Sequence, residues 1–294
     1  MPLRLGHGTR LSAMTLSEMK QILESGGIRL TKSLGQSFLH DGNQLRRIVA
    51  AAELTASDRV LEIGPGLGPL TELLLAKAGE VFAIEKDRRL TEVLQQRFAA
   101  AGHLRLSEND ALDFLQRDAR DWSEWKLVAN LPYSVASPVL VELAQAHACP
   151  RRMVVTVQRE VGQRLVALPG TRDYGLLTLL VQLRYQPTGS FKIPASCFFP
   201  KPGVDSACVT LRRRPKPLLT REQAATFTKI VKRAFAQRRK MMFKLLKEDW
   251  PQASLSRFFT AAGLAPDVRA EQVGLEPFVR LAALLHADQE SRHG

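Results

Sequence analysis

The chain carries the apolar run Val60-Leu61-Glu62-Ile63, which is followed at once by the glycine-rich run Gly64-Pro65-Gly66-Leu67-Gly68. A short apolar run that ends at glycines is typical of a buried strand leading into a loop. The next segment, residues 70–78, has the spacing of apolar residues expected for a helix. We therefore expect a strand, a glycine loop and a helix, the first unit of an α/β sheet.

Strand and helix patterns keep alternating from this unit to about residue 165. Short apolar runs predict four more strands, at 81–84, 104–106, 126–129 and 153–157. Helical spacing predicts helices at 88–101, 138–147 and 174–183. The alternation predicts an α/β, Rossmann-like parallel sheet with helices on both faces. Two further strands, one within 185–193 and one at 207–211, suit an antiparallel edge.

The composition changes after Arg214-Pro215-Lys216-Pro217, which is the best candidate for a linker. Residues 220–286 show helical spacing without strand alternation. We therefore divide the chain into an α/β domain at 30–214 and a small all-helical domain at 215–294. Residues 1–29 form an amino-terminal extension for which disorder is one expectation.

Composition excludes several classes of protein. Of the 294 residues, 45% are hydrophobic, which is enough for a core, and no apolar run approaches the 18 or so residues of a membrane span. Residues 1–17 lack the apolar region of a secretory signal. The three cysteines form no C-x-x-C pair and are odd in number, so we expect reduced thiols in a cytoplasmic protein and no metal site.

The net charge of +13 is concentrated in one segment. Residues 212–247 contain thirteen basic residues and one acid, Glu222, whereas the rest of the chain has 29 basic and 28 acidic residues. A solvated helix face is the ordinary interpretation of a charge run. Because this run is so unbalanced, we favour a surface that binds a phosphate backbone.

The glycine loop differs from a nicotinamide site. That fingerprint is G-x-G-x-x-G, which would need a glycine at position 69, where the chain has Pro69. The observed pattern is G-x-G-x-G, preceded by Glu62 two residues ahead of the first glycine. It fits a ligand without a pyrophosphate, one whose cationic amino-acid end lies on the loop.

Two acids follow at the ends of the next two strands. Glu85 closes the second strand, where an acid can accept both hydroxyls of a ribose; a plain surface acid is the alternative. Asp110 follows the third strand and can accept a hydrogen bond from an adenine amine. Its alternative role is a helix N-cap.

The fourth strand ends in Asn130-Leu131-Pro132-Tyr133. The amine of adenine is a poor nucleophile because its lone pair is delocalised into the ring. Asn130 offers an amide oxygen that can accept from this amine, Pro132 fixes the local carbonyls, and Tyr133 offers a ring for stacking. The alternative is an ordinary turn, since Asn and Pro are common in turns.

The order of these four strand ends matches an S-adenosylmethionine cleft with an amine substrate at the fourth strand. A sulfonium methyl is already a strong electrophile, so positioning supplies most of what catalysis needs, on the order of 7–11 kcal/mol. The chemistry requires neither a metal nor a strong general base. His40, His103 and His147 are isolated in the sequence.

The motifs resemble those of the bacterial small-subunit (16S) rRNA adenine N6,N6-dimethyltransferases, over roughly residues 30–285. The resemblance includes the site motifs at 62–68, Glu85, Asp110 and 130–133. It also includes four further segments: Lys32-Ser33-Leu34-Gly35-Gln36-Ser37-Phe38-Leu39, Gln158-Arg159-Glu160-Val161, Phe199-Pro200-Lys201-Pro202-Gly203-Val204-Asp205-Ser206 and Phe235-Ala236-Gln237-Arg238-Arg239-Lys240.

This resemblance implies that the α/β sheet is a Rossmann-like class I methyltransferase sheet. It implies an S-adenosylmethionine-dependent enzyme that dimethylates two adjacent adenines near the 3′ end of small-subunit rRNA. It also implies a monomer that acts late in ribosome assembly, on immature small subunits. The implied catalytic residues are Asn130, Leu131, Pro132 and Tyr133. The implied cofactor contacts are Gln36, Ser37, Leu39, Gly64, Gly66, Glu85, Asp110, Ala111 and Asn130. The implied RNA contacts are Arg238, Arg239 and Lys240.

The chain departs from the family at Ser37, where asparagine is common. Because serine has a shorter reach, we expect any cofactor contact there to use the backbone. Two alternatives stay open. A resistance-type large-subunit rRNA adenine methyltransferase shares the cleft, but more often has Asn-Ile-Pro-Tyr and lacks the segment 235–240. A non-catalytic nucleic-acid-binding assembly factor would keep the fold, but the intact motifs argue against it.

Overall fold

The computed structural model describes residues 14–28, 30, 36–118, 120–237 and 239–293. The strands are β1 Phe38–Leu39, β2 Arg59–Ile63, β3 Glu80–Glu85, β4 Leu104–Glu108, β5 Trp125–Asn130, β6 Arg152–Gln158, β7 Tyr185–Ile193, β8 Phe198–Phe199 and β9 Ser206–Arg213. The helices are α1 Leu16–Ser25, α2 Gly42–Ala52, α3 Pro69–Leu75, α4 Arg88–Arg97, α5 Ala111–Arg117, α6 Ala136–Gln145, α7 Arg159–Val166, α8 Leu176–Gln182, α9 Arg221–Ala234, α10 Met242–Leu246, α11 Gln252–Ala261 and α12 Leu275–His293.

A seven-stranded sheet forms the centre, in the order β4-β3-β2-β5-β6-β9-β7. The first five strands in this order are parallel, and β9 runs antiparallel to both β6 and β7. Strands β3 and β4 are added on one side of β2, whereas β5 and β6 are added on its other side. The direction in which strands are added therefore reverses between β2 and β5. Ligands bind at such a switch point, outside the carboxyl ends of the strands.

Both faces of the sheet are covered, as the apolar runs predict. In β5, Leu127 and Ala129 belong to one buried cluster, whereas Val128 belongs to the cluster on the opposite face. Successive side chains of a strand point to opposite faces, so a strand buried on both sides is apolar throughout. The predicted α/β sheet with helices on both faces is confirmed.

Helices α9 to α12 form a second core after β9. Phe227 and Phe278 are fully buried in it, together with Leu179 of α8. This core therefore includes side chains from the segment before the proposed linker. Arg214, within that linker, donates from Nε to the carbonyl of Gln182 across 3.0 Å. The division of the chain at 214/215 stays a prediction.

The amino-terminal extension contains a helix that the sequence analysis did not identify. Thr15 accepts from the backbone N–H of Glu18, and the Glu18 carboxylate accepts from the backbone N–H of Thr15, a capping box that begins α1. Met19 and Leu23 of α1 pack in a buried cluster with Leu67 of the glycine loop. Residues 1–13 and 31–35 lie outside the described residues.

No helix in the described part of the chain is long and apolar enough to cross a membrane.

Candidate cofactor and adenine site

A cleft of about 890 Å³, open to solvent, lies at the carboxyl ends of the parallel strands. The glycine loop, the ends of β3 and β5, and the turn before α5 all contribute to it. It is lined by Gln36, Ser37, Phe38, Ile63, Gly64, Gly66, Ile84, Glu85, Lys86, Leu90, Asn109, Asp110, Ala111, Asn130, Leu131, Pro132, Tyr133, Ser134 and Val135. The structure therefore brings together all but one of the residues for which the sequence predicted cofactor or catalytic roles.

Leu39 is the exception. It does not line the cleft, and its side chain is 1% exposed in the core beneath the sheet. Its neighbour Phe38 does line the cleft, although the sequence analysis gave it no role. Alternation along β1 was the available signal, because adjacent residues of a strand face opposite sides.

The glycine loop is shaped by close contacts. Gly64, Gly66 and Gly68 all have positive φ angles, of 68°, 62° and 82°, a region that residues with a side chain rarely adopt. A Cβ atom on Gly66 would lie 2.6 Å from the ring of Phe38. The loop therefore needs glycine for both its conformation and its packing.

Glu62 is bonded to α3, the helix that follows this loop, and does not line the cleft. It is 1% exposed, and its carboxylate accepts a hydrogen bond of 2.7 Å from the hydroxyl of Thr71 in α3. Burial raises the pKa of Glu62 to about 8, so the carboxyl is mostly protonated at neutral pH. Its position gives it no direct contact with a ligand in the cleft.

Glu85 lines the cleft with part of its hydrogen-bonding capacity in use. One oxygen accepts from the N–H groups of Lys86 and Asp87, each at 2.9 Å, and the other accepts from Gly66 at 3.1 Å. Burial raises the pKa of Glu85 above its ordinary value, and the hydrogen bonds from these three N–H groups offset only part of that rise. A carboxylate has about four acceptor positions. The oxygen bonded to Gly66 therefore retains one position for a ligand hydroxyl.

Asp110 serves as a helix N-cap and also lines the cleft. Oδ1 accepts from the N–H groups of Leu112 and Asp113, at 2.9 and 3.2 Å, at the start of α5. Oδ2 accepts from Nζ of Lys86 at 2.9 Å, and this contact lowers the pKa of Asp110. The Lys86 side chain is largely exposed, so the pair is weak. A ligand amine can share Oδ2 or displace the lysine.

Asn130 presents an acceptor without a partner. Its Nδ2 donates to the backbone carbonyl of Ser37 at 3.2 Å. Its Oδ1 is buried and accepts no hydrogen bond from any described residue. Such a buried acceptor is costly unless a ligand provides the donor. An amine in the cleft would provide that donor.

Ser37 links Asn130 to a distant loop. The Ser37 hydroxyl donates to the carbonyl of Pro200 at 2.7 Å, and the Ser37 carbonyl accepts from Asn130. The side chain at this departure from the family pattern is therefore engaged by the protein. A cofactor contact through the Ser37 backbone stays a prediction.

Tyr133 lies half-buried beside Asn130. Its hydroxyl is 2.6 Å from the hydroxyl of Ser206 at the start of β9. Burial raises the pKa of Tyr133, so the phenol stays neutral at physiological pH. The residue therefore offers the cleft an uncharged ring with a fixed hydroxyl end.

The basic residues at positions 212–247 lie in different surroundings. Arg212 is exposed and pairs in register with Arg152, the first residue of β6, whereas the cleft lies at the other end of that strand. Arg213 donates to the carbonyls of Ser123 and Cys149, and Arg233 pairs with acids. These positions therefore do not form one continuous phosphate surface.

Among the described residues between positions 229 and 247, six exposed basic side chains remain candidates for RNA contacts. They are Lys229, Lys232, Arg239, Lys240, Lys244 and Lys247. Arg238, a predicted RNA contact, lies outside the described residues.

A sequence model of the family described as ribosomal RNA adenine dimethylase matches residues 27–287. The chain belongs to this family. A ribosomal RNA small subunit methyltransferase A from Magnetococcus marinus is 42% identical over 266 residues, which is 90% of this chain and 95% of that protein. The protein of the same name from Bacillus cereus is 37% identical over 284 residues, or 92% and 97% of the two chains.

Solved structures show the same fold. A dimethyladenosine transferase from Plasmodium falciparum has a TM-score of 0.70 at 24% identity, covering 86% of this chain and 98% of that one. The 23S rRNA methyltransferase ErmE has a TM-score of 0.66 at 27% identity, covering 84% and 99%. Together with family membership, these results confirm the predicted class: an α/β, S-adenosylmethionine-dependent rRNA adenine methyltransferase.

Proposed function

We propose that this enzyme transfers methyl groups from S-adenosylmethionine to the N6 amines of two adjacent adenines near the 3′ end of small-subunit rRNA. The observation that carries the proposal is the buried Oδ1 of Asn130, which has no hydrogen-bond partner among the described residues. It lies at the end of β5, in the same cleft as the glycine loop. The names of the relatives at 37–42% identity support the small subunit as the substrate.

The cofactor, when bound, supplies an electrophilic methyl group on a sulfonium. The residues of the chain then have to bind the cofactor and the adenine and orient them toward each other. Gly64 and Gly66 allow a ligand to approach the backbone closely, and Glu85 and Asp110 accept from its hydroxyl and amine groups. These contacts, with Gln36, Ser37 and Ala111 also lining the cleft, make up the proposed cofactor site.

The substrate adenine lies, in this proposal, between the glycine loop and Tyr133. The Oδ1 of Asn130 accepts from the N6 amine and turns its lone pair toward the methyl group. Pro132, which has no N–H, leaves no competing donor at its position in the motif. Tyr133 stacks on the base, which has to leave its helix or loop to enter the cleft.

We further propose that the enzyme acts as a monomer on immature small subunits in the cytoplasm. The exposed Arg239 and Lys240, with Arg238 beside them in the sequence, are the proposed RNA contacts. Three free, buried cysteines are consistent with a reducing compartment.

The test uses labelled S-adenosylmethionine with small and large ribosomal subunits that lack dimethyladenosine. We expect label in the small subunit alone, at two adjacent adenines that stop reverse transcription. The Asn130→Ala variant is the matched negative control. Label in the large subunit would support the ErmE-like alternative, and binding without label would support a non-catalytic assembly factor.

A further inference from the structure

A hydroxyl pair joins the catalytic motif to a distant strand. The hydroxyls of Tyr133 and Ser206 lie 2.6 Å apart, although 73 positions separate the residues in the sequence. Tyr133 lines the cleft just after β5, whereas Ser206 is the first residue of β9. The contact therefore exists only in the folded chain.

Ser206 is a rigid anchor. It is 0% exposed and pairs in register with Gln158 of β6 and Ile193 of β7, so strands hold it from both sides. The preceding residue, Asp205, is also held: its carbonyl accepts from the N–H of Arg159 and its carboxylate from the N–H of Ala195, each at 3.0 Å. The Ser206 hydroxyl therefore has little freedom to move.

The hydroxyl at this position needs an explanation beyond packing. A buried hydroxyl costs free energy unless it is hydrogen-bonded, and an alanine would fill nearly the same space in the sheet. The partner that the structure provides is Tyr133. A bond at the far end of the ring fixes the direction of the ring axis, which the first side-chain torsion sets and which would otherwise choose among staggered rotamers.

We propose that Ser206 is a positioning residue that fixes the direction of the Tyr133 ring axis and so keeps the ring at the position where the target adenine stacks on it. This inference rests on the proposed function and adds to it a residue from outside the catalytic motif. Residues at both ends of the segment 200–206 then position side chains of the motif Asn130-Leu131-Pro132-Tyr133. The Pro200 carbonyl holds Ser37, which holds Asn130, and Ser206 holds Tyr133.

The test is a double-mutant cycle on methyl transfer to small subunits by the full-length enzyme. We expect Ser206→Ala to lower kcat roughly threefold to tenfold, the effect of one net hydrogen bond. Tyr133→Phe should have a similar effect, and the double variant should be no slower than either single variant, because all three lack the same bond. S-adenosylmethionine affinity should stay at the wild-type value, and the melting temperature should fall by no more than about 4 °C, the effect of one net hydrogen bond lost from a chain of this size.

The matched control is Thr210→Val, which removes a hydroxyl from the same strand and face, 9% exposed and away from the cleft. It should leave kcat unchanged. Losses that multiply in the double variant would overturn the proposal, as would a wild-type kcat in either single variant. A larger fall in melting temperature, together with a kcat loss in Ser206→Ala but not in Tyr133→Phe, would assign Ser206 to stability and overturn the proposal too. An inactive wild type would refute the proposed function itself, a distinguishable result.

Discussion

The side-chain amide of Asn130 donates to the backbone carbonyl of Ser37 across 3.2 Å, and this single bond decides which way the amide faces. With Nδ2 engaged, Oδ1 is left buried without a donor among the described residues. The adenine amine is the donor in the proposed function. The orientation of Asn130 therefore depends on a residue that precedes it by 93 positions.

Asn130→Ala should lower the rate of methyl transfer by on the order of 100-fold or more, the usual scale for one preorganised polar contact. Asn130→Asp should be nearly as slow, because the carboxylate keeps an acceptor but has no N–H for the Ser37 carbonyl. Single-turnover kinetics on small subunits measures both. The exposed Asn43 provides the control: Asn43→Ala should react at the wild-type rate. A loss below tenfold in Asn130→Ala would contradict the assigned role.

Cofactor affinity tests the two acids of the cleft. Glu85→Ala and Asp110→Ser should each weaken S-adenosylmethionine binding by about 1–3 kcal/mol, the cost of a ligand group left without its partner. Serine is chosen at 110 because it still caps α5, but is too short to reach a ligand. Titration calorimetry gives the affinities.

The control for Asp110 is Asp41, which caps α2 in the same way by accepting from the N–H groups of Asn43 and Gln44, each at 2.9 Å. Asp41 does not line the cleft, so Asp41→Ser should bind the cofactor normally. Equal affinity in all of these variants would exclude the acids from the site.

Local sequence signals predicted the sheet well. Each predicted parallel strand is present, and β7 spans residues 185–193 as expected. The central strands β2, β3, β5 and β6 have strong local signals: apolar runs buried on both faces, and glycines where the chain turns after β2. The strand ends that carry Glu85 and Asn130 could be located for the same reason.

Long-range contacts had no such signal. The bonds from Ser37 to Pro200 and from Tyr133 to Ser206 join segments far apart in the sequence, so no spacing rule predicts them. Charge counting also missed that Arg212 lies at the end of the sheet away from the cleft. The face on which a side chain of an antiparallel strand lies can be predicted only when the register of the strand is known. Sequence patterns alone do not give that register.

The buried Glu62 should make stability depend on pH. Its pKa is about 8 in the folded protein against an ordinary value of 4.5. Between these values the folded state binds more protons than the unfolded state, so the free energy of unfolding should fall as the pH rises. Glu62→Gln, which cannot ionise, should flatten this dependence. Urea unfolding from pH 5 to pH 8 measures it.

The control for this pH dependence is Glu92→Gln, at an exposed position on α4. It should keep the wild-type slope between pH 5 and pH 8. If Glu62→Gln has the wild-type slope as well, the buried carboxyl does not titrate in this range.

The six exposed basic residues described between positions 229 and 247 should govern the salt dependence of RNA binding. If all six neutralise phosphates, the log–log slope of affinity against salt should be roughly −4, at about −0.7 per contact for single strands. The double variant Arg239→Glu with Lys240→Glu should flatten the slope by roughly 1.4 and weaken binding to small subunits. Cofactor affinity should not change, because neither residue lines the cleft.

The matched control reverses two charges elsewhere in the same basic segment, Arg212→Glu with Lys216→Glu. Both residues are exposed, and Arg212 lies at the opposite end of β9 from the cleft. Filter binding across a salt series, with a melting curve for each variant, separates the interpretations. A flatter slope at normal stability in the 239/240 variant alone supports an RNA surface. Equal slopes in both variants, or lost stability in the 239/240 variant, would mean that these arginine and lysine side chains only solvate or pack a helical region.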